Sequence, residues 1–244
     1  PLNWSDGMDM DTGRPRIKTE AYYWKYDKLW LAMPGPFGGH NWHPMSHSPA
    51  TGLVYIPAQE VPGPYQVEKD IKPRPVGLNI GVDMKNIILP DDANVVKEIK
   101  KSVKGYLLAW DPVAQKEVWR APHSGPWNGG VVSTAGNLVF QGDIDGGFNA
   151  YDATSGKQLW SFATGNTVSA APVTYSVNGR QYITVLSGWG TAWSKLAGKL
   201  AWDDQGPRQN KSRLLTFALD GKQSLAAPSR TFPRLTQMPE QFAP

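Results

Sequence analysis

Two stretches of this chain, 41 residues apart, read the same way. Ala109-Trp110-Asp111 running on to Lys116 and Trp119 follows the pattern A-x-D-x-x-x-x-K-x-x-W, and Ala150-Tyr151-Asp152 running on to Lys157 and Trp160 repeats it without a shift. A weaker echo, Phe217-Ala218-Leu219-Asp220-Gly221-Lys222, keeps the apolar run, the acidic turn and the lysine but has no tryptophan. Between the two full copies lie Leu138–Gln141, a Gly/Asp turn over 142–147, and Phe148–Tyr151, which together predict strand, turn, strand. After the second copy, Ala171–Tyr175 and Gln181–Leu186 flank Asn178-Gly179, the strongest short hairpin signal a sequence offers. Thr51–Pro57 predicts a similar strand earlier. Four short strands per period of about 40 residues is the length of a β-propeller blade. In that reading the Asp side chain accepts backbone N–H bonds at the turn, and the Trp packs between adjacent blades. A β-sandwich carrying two chance matches is the rival; identical spacing in both copies favours the propeller.

The fold class is therefore all-β. The 25 Gly, 21 Pro and 11 Trp agree, because many turns and many aromatics suit strands better than helices. At about 40 residues per blade, 244 residues hold about four blades, and a ring that small is rare, so an incomplete larger ring is expected. Two long loops interrupt the blades, over about 61–104 and 191–213, and a Pro-rich tail or linker over 226–244 follows a propeller region over 1–225. The net charge of +4 is spread along the chain, and the densest run, Lys97 to Lys104, includes Glu98 and no aromatic to stack a base, so no nucleic acid is expected as partner. Zero cysteine removes disulfides, thiol nucleophiles, iron–sulfur sites and a CxxCH haem attachment from these residues. No apolar run is long enough to span a bilayer and no signal segment opens the chain. The opening Pro1-Leu2-Asn3-Trp4 has no initiator Met and reads as the interior of a longer protein.

His40, His43 and His47 would share a helix face and could bind a metal, but Pro44 and Pro49 argue against a helix there. No nucleophile elbow, phosphate-binding loop or dinucleotide motif is present. Asp143 and Asp145 beside Gly146-Gly147 lack the glutamate of a calcium loop and predict a plain hairpin turn. Three clusters of glycine, aromatic and amide residues stand out instead, each at a strand junction. They are Gly38-Gly39-His40-Asn41-Trp42-His43-Pro44, Pro126-Trp127-Asn128-Gly129-Gly130, and Ser187-Gly188-Trp189-Gly190. In a propeller such junctions converge on the central face. Gly permits close backbone approach, Trp offers a flat apolar wall, and Asn donates and accepts in plane, a combination that suits a flat, polar, conjugated ligand. For any one of these Trp residues, packing between blades is the competing role.

At these residues the sequence resembles the pyrroloquinoline quinone (PQQ) alcohol dehydrogenases, the quinoprotein and quinohaemoprotein group related to methanol dehydrogenase. The resemblance is carried by Gly39-His40-Asn41-Trp42-His43-Pro44-Met45-Ser46, by Thr51 to Gln59, by Pro126-Trp127-Asn128-Gly129-Gly130, by Gly136 to Gly142, by the two Asp/Trp repeats and by Gly188-Trp189-Gly190. It runs in order over roughly residues 1–220. It implies an eight-bladed propeller with PQQ on its axis, oxidising alcohols in the periplasm, of which this chain is the C-terminal half. The calcium ligands, the Asp base, the adjacent-cysteine disulfide and the Trp beneath the cofactor would lie in the N-terminal half, on the same or a separate chain. The implied cofactors are thus PQQ and Ca2+, with haem c only where a cytochrome domain exists elsewhere. The implied partners are a small alcohol and an electron acceptor such as a cytochrome c. The implied cofactor contacts in this chain are Asn41 and Trp42, then Val185, Gly188, Trp189 and Gly190, then Trp127 and Asn128. His47-Ser48 and Ala114-Gln115 depart from the family pattern, the second at a blade turn that usually carries Thr-Gly. Two other readings stay open: a non-catalytic propeller scaffold, and a dehydrogenase for polyols or polymeric alcohols.

Overall fold

The structure is a computed structural model that describes residues 2–77, 79–83, 85, 92–190, 193, 197 and 210–226. Fifteen strands follow one another among these residues: β1 (Ser5–Met8), β2 (Pro15–Ile17), β3 (Trp30–Ala32), β4 (Ser46–Ser48), β5 (Leu53–Glu60), β6 (Gly63–Tyr65), β7 (Lys104–Asp111), β8 (Lys116–His123), β9 (Val131–Ser133), β10 (Leu138–Gly142), β11 (Gly147–Asp152), β12 (Gln158–Ala163), β13 (Val173–Val177), β14 (Arg180–Ser187) and β15 (Arg213–Ala218). Two antiparallel sheets have four strands each, β4-β5-β7-β8 and β9-β10-β11-β12, and a third, β13-β14-β15, has three. These are the first, second and third blades. The pairs β1-β2 and β3-β6 make two smaller sheets, the second closed by a strand from between β5 and β7.

The repeated motif does what its chemistry predicts. Asp111 Oδ1 accepts from the backbone N–H of Val113 and Ala114, both at 2.9 Å, and Asp152 Oδ1 accepts from Thr154 (3.1 Å) and Ser155 (2.8 Å). Each aspartate thereby closes the turn between the last two strands of its blade. Trp119 then crosses to the second blade. Its Nε1 donates to the Ala153 carbonyl at 3.1 Å, and the Tyr55 hydroxyl donates to the same oxygen at 2.9 Å. The indole lies so close to Gly156 that a Cβ there would sit 2.5 Å from a ring carbon, and Gly156 also holds φ at +71°, so only glycine fits. In the first copy the same turn position is Gln115, at φ +51° but exposed, and a side chain is tolerated. Leu53, Tyr55, Leu107, Ala109, Trp119 and Ala121 of the first blade thus bury one face against Val131, Val139, Tyr151 and Ala153 of the second.

Phe148 and Val168 pack in turn against Ile183 and Val185 of the third blade, with Leu215 and Phe217 beside them. Trp160, the second motif tryptophan, meets Phe217 edge-on at 5.3 Å, on the same seam. Asn178 and Gly179 take φ of +50° and +76° between paired residues Val177 and Arg180, the two-residue hairpin turn their sequence predicts. The opposite face of the third blade stays open. Val173, Tyr175, Val177, Leu186 and Leu214 share it by register and are 43–68% exposed. Apolar surface of this extent is found where another surface docks.

The first strands of the first and second blades converge. Ser46 Oγ and Ser133 Oγ lie 2.7 Å apart, the Ser133 N–H donates to Ser46 Oγ at 2.9 Å, and Val131 N–H donates to the Pro44 carbonyl at 2.9 Å. The last strand β12, by contrast, is exposed along most of its length. One difference from the sequence reading concerns the stretch between β5 and β7. It carries β6 and a helix over Ala93–Ser102, capped by Asp92, whose Oδ1 accepts from Asn94 and Val95 N–H at 2.8 and 3.2 Å. Prolines and charges hid the short apolar spacing of Val95, Val96, Ile99 and Val103. Most of the loop expected over 191–213 and of the tail expected over 226–244 lies outside the described residues. No helix among the described residues is long and apolar enough to cross a membrane.

Candidate functional site

The three glycine–aromatic–amide clusters come together at the convergent end of the blades. The segment before β4 and the segment before β9 are locked by one amide. Gln59, at the end of β5 and buried, donates from Nε2 to the Phe37 carbonyl at 3.0 Å and accepts on Oε1 from the Trp127 N–H at 3.1 Å. Trp127 holds φ at +66°, a costly conformation for a bulky residue, and the Gln59 bond secures it. Phe37 meets Trp127 edge-on at 4.9 Å and Trp193 at 5.6 Å. Trp189, from the third cluster, packs against this same group, as do Ile99 of the helix and Ile144.

The rings then lead outward. His43 meets Trp127 edge-on at 5.1 Å and stacks on Trp42 at 4.1 Å, with 25° between the planes. His43 is 3% exposed and Trp42 is 60% exposed, so the series starts in the core and ends on an open face. Asn41 stands beside it. Its Nδ2 donates to the Phe37 carbonyl at 3.0 Å and its Oδ1 accepts from the Trp42 N–H at 2.9 Å. A carboxamide offers two donors and two acceptor positions, so one of each is left for a ligand. In the third cluster, Trp189 is clamped in both directions by one side chain: its N–H donates to Asn210 Oδ1 at 2.9 Å, and Asn210 Nδ2 donates to its carbonyl at 2.8 Å. Gly190 follows, exposed, with nothing among the described residues within 4 Å of where a Cβ would be.

A buried polar layer holds the end of β14 under these groups. Thr164 Oγ1 donates to the Asn166 carbonyl at 2.7 Å and lies 2.8 Å from Ser187 Oγ, while Arg213 Nη1 donates to the Thr164 carbonyl at 2.8 Å. The Gly188 N–H donates to the Thr167 carbonyl at 2.9 Å. This layer and the two bridging amides, Gln59 and Asn210, are site-shaping residues that sequence reasoning did not single out. Apart from the Asn166 carbonyl beside Thr164, their partners lie 21 to 68 residues away in the chain, and no local pattern announces them.

Three of the residues named from the sequence sit behind the open face. Val185 is buried in the seam between the second and third blades. Trp127 is buried in the aromatic group. Asn128 is buried too and spends both ends of its amide on backbone, donating to the Gly125 carbonyl at 2.9 Å and accepting from Ile144 N–H at 3.1 Å. Gly129 and Gly130 serve close packing rather than an open cradle: a Cβ on Gly130 would meet Pro44 and Ala171 at 2.6 and 2.8 Å. Asn41, Trp42, Trp189 and Gly190 remain half-buried or exposed. His40, His43 and His47 do not form a ligand set. His40 Nδ1 contacts the Pro57 carbonyl at 2.8 Å, His43 is buried and His47 is exposed in β4. Among the described residues no three His, Asp or Glu side chains gather closely enough to hold a metal ion.

Burial pushes the His43 imidazole down to about 4, with the neighbouring His40 adding a smaller push in the same direction. His123, buried against Gln141 Oε1 at 2.8 Å, is lowered for the same reason, against a partial offset from that bond and from Asp143 and Asp145. Below about pH 6.5 the unfolded chain binds a proton at His43 that the folded chain refuses until about pH 4. Stability should therefore fall by about 2–3 kcal/mol between pH 7 and 4.5 from this residue alone. Urea unfolding across that range checks it, and His43→Phe should flatten the slope by that amount. Gln59→Leu gives a second test: it strands the Trp127 N–H in the core and leaves the Phe37 carbonyl to Asn41 Nδ2, at an expected cost of about 1–3 kcal/mol measured by the same method.

Comparison with known proteins places this arrangement. The family "PQQ: Glucose/ethanol/alcohol dehydrogenase, beta-propeller domain" matches residues 96–183. The dehydrogenase subunit of an alcohol dehydrogenase (quinone) from Gluconacetobacter polyoxogenes is 46% identical over 91% of this chain and 30% of its own length. The structure of quinohemoprotein alcohol dehydrogenase ADHIIG from Pseudomonas putida HK5 superposes with a TM-score of 0.88 at 42% identity, over 97% of this chain and 34% of that one. The chain belongs to the PQQ-dependent alcohol dehydrogenase family. A quinohemoprotein alcohol dehydrogenase from Comamonas testosteroni is also similar, with a TM-score of 0.75 and 40% identity, over 93% of this chain and 32% of that one. The chain spans about a third of the length of these relatives. As a family propeller it presents three blades in series, two with four strands and one with three, among the described residues. The chain's own surface offers what a flat, polar ligand needs. A flat indole is exposed on one side and backed on the other, an amide with a spare donor and a spare acceptor adjoins it, and Trp189, followed by the exposed Gly190, packs against the same aromatic group.

Proposed function

We propose that this chain is the C-terminal half of the propeller of a PQQ-dependent alcohol dehydrogenase, which oxidises primary or secondary alcohols to aldehydes or ketones. The observation that carries the proposal is the exposed Trp42 ring, stacked on buried His43 and flanked by Asn41 with hydrogen-bonding positions to spare. PQQ, when bound, supplies the two-electron acceptor for hydride from the alcohol, with calcium polarising its carbonyl. In this reading Trp42 covers one part of the cofactor plane and excludes water from it. Asn41 orients an oxygen of its edge, and Trp189-Gly190 closes another side through the loop that Asn210 clamps. Trp127, Asn128 and Val185 support these groups from behind.

The base and the calcium ligands belong to the N-terminal half, on the same chain or a separate one. The open apolar face of the third blade, Val173, Tyr175, Val177, Leu186 and Leu214, is where that half continues the ring. The substrate is a small alcohol, the electron acceptor a protein such as a cytochrome c, and the compartment the periplasm. The test compares the 244-residue chain alone with the ring completed by the N-terminal half, with PQQ and Ca2+ supplied. The chain alone should bind PQQ weakly and show no alcohol-dependent dye reduction, and the completed ring should show both. Robust turnover by the chain alone would refute the division of labour. A completed ring that ignores PQQ would favour the scaffold reading, and one that responds only to polyols would narrow the substrate class.

A further inference from the structure

We propose that His43 is a positioning residue that orients Trp42 against the cofactor. The inference rests on the reading that Trp42 lines the PQQ site. An indole that is 60% exposed on a loop has several rotamers open to it. Trp42 is nevertheless held by one full-face contact, the His43 imidazole at 4.1 Å and 25°. His43 is fixed in turn: it is 3% exposed and edge-on to Trp127 at 5.1 Å and 87°. Trp127 is edge-on to Phe37, and Phe37 to Trp193, so the stack stands on the aromatic core rather than on the loop itself. Neighbours in sequence do not normally stack face to face. Here they do, next to the bond from Trp42 N–H to Asn41 Oδ1 at 2.9 Å.

The ring's plane, not its hydrogen bonding, accounts for its place. His43 Nε2 is buried with no hydrogen-bond partner among the described residues. An imidazole kept neutral there acts as a small flat plate, and an aliphatic side chain of similar volume could fill the space without presenting a plane. Trp42 then meets a flat ligand in one orientation instead of several, so less freedom is lost on binding.

The experiment uses the full-length protein that carries this segment, in its cofactor-free form. PQQ affinity is measured by titration in the presence of Ca2+. The order of the Trp42 ring is measured separately, without cofactor, by fluorine NMR after 5-fluorotryptophan labelling, with Trp42→Phe to assign the line. Trp42→Ala should weaken PQQ binding about tenfold or more. His43→Leu should weaken it about tenfold, broaden or split the Trp42 resonance, and cost no more than about a further twofold when added to Trp42→Ala. His43→Phe, which keeps a ring, should restore affinity to within about threefold of the parent and return a single line. If Leu overfills the site and the variant does not fold, His43→Val reads the same quantity. Unchanged affinity in Trp42→Ala would overturn the reading of Trp42 as a cofactor wall. Weakened binding in Trp42→Ala with unchanged binding and an unchanged resonance in His43→Leu would overturn the positioning role alone. Fully additive losses in the double variant would do the same.

Discussion

Trp119→Ala should destabilise the protein by about 3–5 kcal/mol, the range for emptying a buried tryptophan site. The reason is the seam between the first and second blades. Trp119 is 9% exposed, and its ring packs on Gly156 and beside Tyr55 while its Nε1 ties β8 to the Ala153 carbonyl. Truncation opens a ring-sized void and leaves that oxygen to the Tyr55 hydroxyl. Trp160→Ala is the internal control. It removes the same residue from the same motif position, but Trp160 is 39% exposed, so the expected loss is about 1–2 kcal/mol. Urea unfolding of both variants compares them directly. Equal losses would mean that the cost does not follow the burial of the ring at its seam.

Asn41→Ala should weaken PQQ binding by the full-length protein on the order of 30–100-fold, roughly 2–3 kcal/mol. Two effects add. The spare donor and acceptor of the amide are lost to the cofactor, and the bonds to the Phe37 carbonyl and Trp42 N–H that shape the loop are lost to the protein. Asn41→Asp separates them. It keeps an acceptor for the Trp42 N–H but gives up the donor to Phe37, so the loop is half retained while the spare donor is gone. Titration of the three proteins with PQQ in the presence of Ca2+ reads the difference. Affinity unchanged in Asn41→Ala would remove Asn41 from the site.

The blades were legible because their information is local and periodic. Asp111 and Asp152 close turns with N–H groups two and three residues away, and the 41-residue interval carries Trp119 and Trp160 to equivalent seams. The gathering of the three glycine–aromatic–amide clusters was legible too, since each sits at a strand junction. What sequence alone left hidden depends on distance or on burial. Gln59 bridges partners 22 and 68 residues away, and Asn210 reaches back 21 residues to Trp189. A tryptophan looks the same whether it is 3% or 60% exposed, so Trp127 and Trp42 could not be separated by residue type. Val185 was only half legible: Ile183 and Val185 flank Thr184 with a period of two, but exposed Leu186 and buried Ser187 reverse the polarity that would have extended it.

Whether the first blade's entry loop presents Asn41 and Trp42 to PQQ is decided by a crystal structure of the full-length protein with PQQ and calcium bound. The quinone plane is expected within about 4 Å of the Trp42 ring, with one of its oxygens within hydrogen-bond distance of the Asn41 amide. PQQ bound elsewhere, touching neither residue, would overturn that role for the loop.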